Sequence, residues 1–134
     1  MKPGEARHYE LPSRLDTLGA LRAEVRALAL EHGFSQQSAD DFEMCVHEAV
    51  SNAMVHGHGL DASRLVEVRI EAHQSGLRVT VSDSGPGFDV AATLRGLDTA
   101  GEEPRGRGLR IISSLSDSRQ WLDDGRRLVF SKLP

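Results

Sequence analysis

At Gly57 the hydrophobic pattern of this chain changes period, and that change limits its fold more than any other feature. Upstream, Phe42, Cys45, Val46, Ala49, Val50 and Ala53 recur at helical spacing. Downstream, Val66, Val68, Ile70 and Ala72 alternate with Glu67, Arg69 and Glu71. After the turn signal Gln74-Ser75-Gly76, Leu77, Val79 and Val81 alternate again. Alternation puts one set of side chains on one sheet face. A helical stripe next to half-buried strands must bury itself on the sheet, so the expected fold is an α+β two-layer sandwich.

The remaining elements follow from local signals. Ser13 reads as the N-cap of a first helix over 14–31, with Leu15, Leu18, Leu21, Val25 and Leu28 in its stripe and Gly33 as its stop. The second helix reads as Ser38 to His56, broken by Gly57 and Gly59. Strands are expected at Leu65 to Ala72 and Leu77 to Asp83, with a short one near His8 to Leu11 after a frayed 1–7. A hairpin of Arg119 to Leu122 and Arg127 to Lys132, turning at Asp123-Asp124-Gly125, ends the chain. Residues 84–105 show no strand pattern, although Leu94 and Leu97 allow a short helical piece. So long a connection inside a small domain is uncommon unless functional. A third helix carrying Leu109, Ile111, Ile112 and Leu115 is expected to open straight after Gly106-Arg107-Gly108.

The 134 residues suit one domain, 1–134. Cys45 is the only cysteine, so neither an internal disulfide nor a cysteine metal site can form. The start Met1-Lys2-Pro3-Gly4-Glu5 lacks the apolar region of a secretory signal, and no apolar run reaches membrane-spanning length. A cytoplasmic protein with no membrane partner is expected. A net charge of −4 with 4% aromatic residues argues against direct nucleic-acid binding. Arg126-Arg127 reads as solvated surface.

Three constellations carry chemistry. Glu48, Asn52 and His56 are spaced i, i+4, i+8, in a row on one helix face. An amide oxygen one turn from a carboxylate suits a magnesium-phosphate site, where the carboxylate can deprotonate a hydroxyl; taken alone, a solvated face explains the row as well. Asp83 is in phase with Leu77, Val79 and Val81 and points inward, where an acceptor-only carboxylate needs a donor such as an exocyclic amino group. In Asp83-Ser84-Gly85-Pro86-Gly87-Phe88 the glycines let backbone approach a ligand; the plain alternative is a turn after a strand. Gly106-Arg107-Gly108-Leu109 opens a helix, and a helix N-terminus attracts anions. No Walker P-loop, no Rossmann fingerprint and no nucleophile elbow occurs. His56 and His58 stand i, i+2 and do not face each other, which argues against a zinc site.

In this order, Glu48-x-x-x-Asn52-x-x-x-His56, Asp83-x-Gly85-x-Gly87 and Gly106-x-Gly108-Leu109 resemble the N, G1 and G2 boxes of the GHKL (histidine-kinase-like) ATPase superfamily. Within it the chain is similar to the anti-sigma-factor serine/threonine kinases, from about Leu15 to its C-terminus. The resemblance implies a Bergerat-type fold, helices lying on one face of a mixed, mostly antiparallel sheet, that binds ATP and Mg²⁺. It implies Asn52 as the Mg²⁺ ligand, Asp83 as acceptor from the adenine amino group, and Gly85 and Gly87 along the pocket base. His56, Phe88 and Arg105 would also line the nucleotide site, with residues 88–105 as its lid. Gly106, Gly108 and Leu109 would close on the phosphates, and Arg107 would either touch the triphosphate or face solvent. Glu48 would be the general base toward a serine of a STAS-domain anti-anti-sigma protein. Members also bind a sigma factor and are commonly homodimers.

Two readings of different class follow. In one, the chain is a serine kinase and anti-sigma factor in a partner-switching module. In the other, it is an ATP-binding module that acts by sequestration without phosphotransfer. A scaffold that has lost nucleotide binding fits less well, because every polar and glycine position of the three boxes is filled.

Overall fold

The computed structural model describes residues 1–73, 75–96 and 104–134, with backbone alone at 104 and 105. Five strands, β1 (Ala6–Pro12), β2 (Leu65–His73), β3 (Gly76–Ser82), β4 (Ser118–Leu122) and β5 (Arg127–Lys132), form one sheet in the order β1-β2-β3-β5-β4. Every adjacent pair is antiparallel, so the expected mixed sheet resolves to its antiparallel form. Four α-helices accompany it among the described residues: α1 (Leu18–Glu31), α2 (Gln36–Asn52), α3 (Val90–Arg95) and α4 (Pro104–Leu115). The α+β sandwich is as the alternating strands require.

The alternation sorts the sheet's two faces. Val66, Val68, Ile70, Leu77, Val79, Val81 and Phe130 are buried in one core with Val25, Phe42, Val46, Val50 and Ile112 of the helices. Each such side chain contributes about 1.5–3 kcal/mol by leaving water. Glu67 and Arg78, on the other face, are exposed. Helix α2 is central and touches both α1 and α4. Arg22 donates to Glu43 at 3.0 Å, and Arg26 pairs with Asp40 and Glu43, bracing α1 on α2.

Several boundaries differ from the sequence reading. Ser13 caps no helix. It is fully buried at the end of β1 and its hydroxyl donates to the Arg64 carbonyl at 2.8 Å. Arg14 is extended, a 3₁₀ turn (Leu15–Thr17) follows, and Leu15 is exposed, outside the stripe. Gly33 does end α1, at φ +87°, with Phe34 N–H reaching the Ala29 carbonyl at 3.0 Å and Gly33 N–H the Leu30 carbonyl at 3.1 Å. Helix α2 starts at Gln36, because the Ser35 hydroxyl accepts from Ser38 N–H at 3.1 Å.

The α-helical part of α2 ends at Asn52, and a π-helical turn, Ala53–Gly57, follows. There His58 N–H reaches back to the Ala53 carbonyl at 3.0 Å. The stretch expected to be frayed is shorter than 1–7: β1 begins at Ala6, and Gly4 N–H already bonds the Ala72 carbonyl at 2.8 Å. Strand β3 stops at Ser82, yet Asp83 N–H still donates to the Arg126 carbonyl at 2.9 Å. Helix α4 opens at Pro104, so Gly106 and Gly108 lie within its first turns and not before it; proline is suited to the first helical position. Gln74 of the expected turn and Leu97 of the expected helical piece fall outside the described residues. Among the described residues, no helix is long and apolar enough to cross a membrane.

Candidate functional site

Two clefts meet at Asn52. One, of about 320 Å³, is polar and is lined by Glu48, Ser51, Asn52, His56 and Arg107. The other is more apolar and holds only about 30 Å³ between Asn52, Ala53, Asp83, Phe88, Leu109 and Trp121. That is about one water's share of liquid and far below the roughly 300 Å³ at which ligand pockets begin. Helix α4 supplies part of the second cleft's wall through Leu109 and Ile112.

Helix α2 presents Glu48 and Asn52 one turn apart, and α4 approaches them through a glycine. A Cβ added at Gly108 would lie 2.7 Å from Glu48 Oε2 and 2.8 Å from Asn52 Nδ2. Only glycine allows that approach without displacing one of them. Among the described residues Asn52 Nδ2 is buried without a hydrogen-bond partner. An unpartnered buried N–H is costly, and an acceptor such as a phosphate oxygen would satisfy it. The donor set thus fits a hydrated magnesium-phosphate group: an amide, a carboxylate and the exposed Arg107 share one cleft. The π-helical turn keeps His56 on the same cleft despite the change of helical period.

Asp83 is held between two glycines. A Cβ at Gly57 would stand 2.7 Å from Asp83 Cγ, and one at Gly85 would stand 2.2 Å from the Gly57 carbonyl oxygen. Asp83 Oδ1 accepts from Gly85 N–H at 2.8 Å, which fixes the carboxylate at the mouth of the apolar cleft. Among the described residues no hydrogen bond reaches Oδ2, so that oxygen can take an amino group. Gly87 has φ +77°, a conformation that favours glycine. Phe88 packs against Gly125 of the β4–β5 turn, and its N–H donates to the Asp124 carbonyl at 2.9 Å.

Gly106 faces the Thr93 carbonyl at ordinary contact distance and joins α4 to α3, away from Glu48. Leu109 is buried in the apolar cleft wall. The side chain of Arg105 lies outside the described residues.

Three residues of this site went unread in the sequence. Gly57, read as a helix breaker, is the floor beneath Asp83. Arg126, read as solvated surface, is half-buried: its Nε donates to the Gly85 carbonyl at 2.8 Å and its Nη2 to the Pro86 carbonyl at 3.0 Å. Nη1 donates to the Asp123 carbonyl at 3.1 Å. His58 is buried, and its ring joins Ser13 to Ser84. Burial and the neighbouring Arg64 guanidinium hold its pKa below the ordinary imidazole value, against the opposing pull of Asp83 and Asp61. No local pattern marks these roles, since each depends on a segment distant in sequence.

The model of the histidine kinase-like ATPase domain matches residues 11–132. The chain is 27% identical over 129 residues to the serine-protein kinase RsbW of Bacillus licheniformis, covering 90% of this chain and 81% of that protein. It is also 27% identical over 131 residues to the serine-protein kinase RsbW of Listeria innocua serovar 6a, covering 92% and 83%. A crystal structure of the RsbU and RsbW domains of a Mycobacterium tuberculosis protein shares the fold, with a TM-score of 0.65 at 17% identity. The alignment covers 98% of this chain and 33% of that one, so this chain spans about a third of that structure.

Proposed function

Because this chain belongs to the histidine kinase-like ATPase domain family, we propose that it binds ATP with Mg²⁺ and transfers the terminal phosphoryl group to a serine of a partner protein. The observation that carries this reading is the meeting of the two clefts at Asn52, with Glu48 on the polar side and Asp83 on the apolar side. The adenine amino group would donate to Asp83, and the phosphates would extend past Asn52 toward Arg107 and the first turns of α4. Magnesium, held by the Asn52 amide oxygen, would neutralise phosphate charge when bound.

Glu48 then has one task. Its carboxylate takes the proton from the partner's serine hydroxyl as the serine oxygen forms a bond to the γ-phosphorus. The bond from that phosphorus to the bridging oxygen of ADP breaks, and the pair stays on ADP. The similarity to serine-protein kinases supports a serine acceptor; the protein that carries it would be a STAS-domain anti-anti-sigma protein, with a sigma factor as the alternative ligand of a homodimer.

The test is incubation of the chain with radiolabelled ATP, Mg²⁺ and a STAS-domain protein encoded beside it. Phosphoserine should form, and Glu48→Gln should lower its rate by about 100-fold or more while leaving ATP bound. Asn52→Ala and Asp83→Ala should lose ATP binding itself. Phosphotransfer unaffected by Glu48→Gln would overturn the general-base role. Absence of phosphoserine beside normal ATP binding would favour sequestration without transfer.

A further inference from the structure

The geometry points to His58 as a positioning residue that holds the Asp83–Gly85 turn in its binding geometry and releases it on protonation. The inference rests on the reading of Asp83 as a nucleotide contact, but the coupling it describes can be measured without nucleotide.

The hydrogen bonds fix the ring's state. Ser84 N–H donates to His58 Nε2 at 2.9 Å, so Nε2 carries no proton. The proton is therefore on Nδ1, which donates to Ser13 Oγ at 2.8 Å. Ser13 Oγ in turn donates to the Arg64 carbonyl at 2.8 Å, which confirms that it accepts from the ring. The neutral imidazole thus joins the end of β1 to the residue that follows Asp83. Arg64 closes the circuit: its Nη2 donates to Ser84 Oγ at 2.9 Å and to the Ser84 carbonyl.

Protonation breaks this arrangement at one point. A proton on Nε2 would face the Ser84 N–H, donor against donor, and would have to turn from it to Ser84 Oγ, 3.1 Å away, in a site where His58 is 4% exposed. The charged groups around the ring are Arg64, which opposes the added charge, and Asp83 and Asp61, which favour it. A charged ring is drawn to two acceptors of the same turn, Ser84 Oγ at 3.1 Å from Nε2 and the Asp83 carboxylate that the turn holds in place. Either response alters the turn: loss of the Ser84 bond, or a pull on the carboxylate between Gly57 and Gly85. Burial keeps the ring neutral near neutral pH, so the release belongs to acid conditions.

Two variants separate positioning from bulk. In His58→Gln the amide oxygen can accept from Ser84 N–H and does not titrate. In His58→Phe the ring volume stays and the acceptor is lost. The full chain, isotope-labelled and without nucleotide, should show the Ser84 and Gly85 amide resonances moving with the same midpoint as the His58 ring as the pH is lowered from about 8 through the His58 transition. In His58→Gln those amides should stay still over that range. Calorimetry with Mg-ATP should show wild-type affinity falling roughly tenfold across it. His58→Gln should bind more weakly than wild type at about pH 8 and lose no more toward acid, and His58→Phe should bind weakly throughout.

Amides of Ser84 and Gly85 that ignore the His58 midpoint would overturn the coupling. So would a His58→Gln profile that matches the wild type. Amides that follow the midpoint in a chain that binds no ATP at any pH would support the coupling and overturn the nucleotide reading instead.

Discussion

Gly85 rests on Gly57: a Cβ at Gly85 would stand 2.2 Å from the Gly57 carbonyl oxygen, so the loop leaving β3 meets the π-helical turn backbone to backbone. The Asp83 carboxylate lies at that junction, bonded to Gly85 N–H at 2.8 Å.

Replacing Gly85 by alanine should therefore move backbone, since no flexible side chain is there to yield. Gly85→Ala should lose about 1–3 kcal/mol of stability, as overpacking does, and ATP affinity with it. Gly19 is the internal control. It lies in α1 with nothing within 4 Å of an added Cβ, so Gly19→Ala should stabilise by about 0.5 kcal/mol. Thermal melts of the two variants should move in opposite directions; a shared direction would contradict the close approach at Gly85.

Arg126 and Arg127 are adjacent and should behave differently. Arg126 supports the Gly85 and Pro86 carbonyls, whereas Arg127 is exposed. Arg126→Met should cost about 2 kcal/mol, and Arg127→Gln should stay within about 0.5 kcal/mol of wild type. Arg126→Lys should rescue poorly, because an ammonium cannot reproduce the guanidinium fork. Denaturant titration distinguishes the three.

Stability should fall with acid through His58. Burial lowers its pKa in the folded chain, so between that lowered value and 6.5 the unfolded chain binds a proton that the folded chain refuses. In that window stability declines as pH declines. Above it both states are neutral at this residue, and below it both are charged, so His58 adds no slope on either side. The stability–pH curve of His58→Gln should be flatter in this window alone; an unchanged curve would assign the acid slope to other groups.

Cys45 should be chemically silent in the folded protein. It is fully buried, and burial pushes its thiol up to about 12. Iodoacetamide should modify it at the rate of global unfolding and no faster. Rapid modification of the native chain would mean that α2 opens locally.

The periodicity on either side of Gly57 was enough to place α2, β2 and β3 and to turn the right faces inward. Helical phase brought Glu48 to Asn52, and strand phase pointed Asp83 toward the core. These are short-range properties, since a side chain's direction follows from spacing once helix or strand is chosen. Ser13 misled for the complementary reason. A serine before an apolar run looks like an N-cap, but its hydroxyl found His58 and Arg64, some 45 and 51 residues away.

What only the tertiary structure decided is the set of contacts across the sandwich. The sequence by itself determined an α+β fold, a polar row on one face of α2 and two glycine-rich segments. It did not determine that Gly57 is the floor of Asp83, that Gly108 lies on Glu48, or that Arg126 and His58 hold the turn between them. Those contacts join segments far apart in the chain, and each depends on where a π-helical turn and a hairpin come to rest on the packed core. Periodicity carries no information about such distances, because it records which face a residue occupies and not what lies opposite.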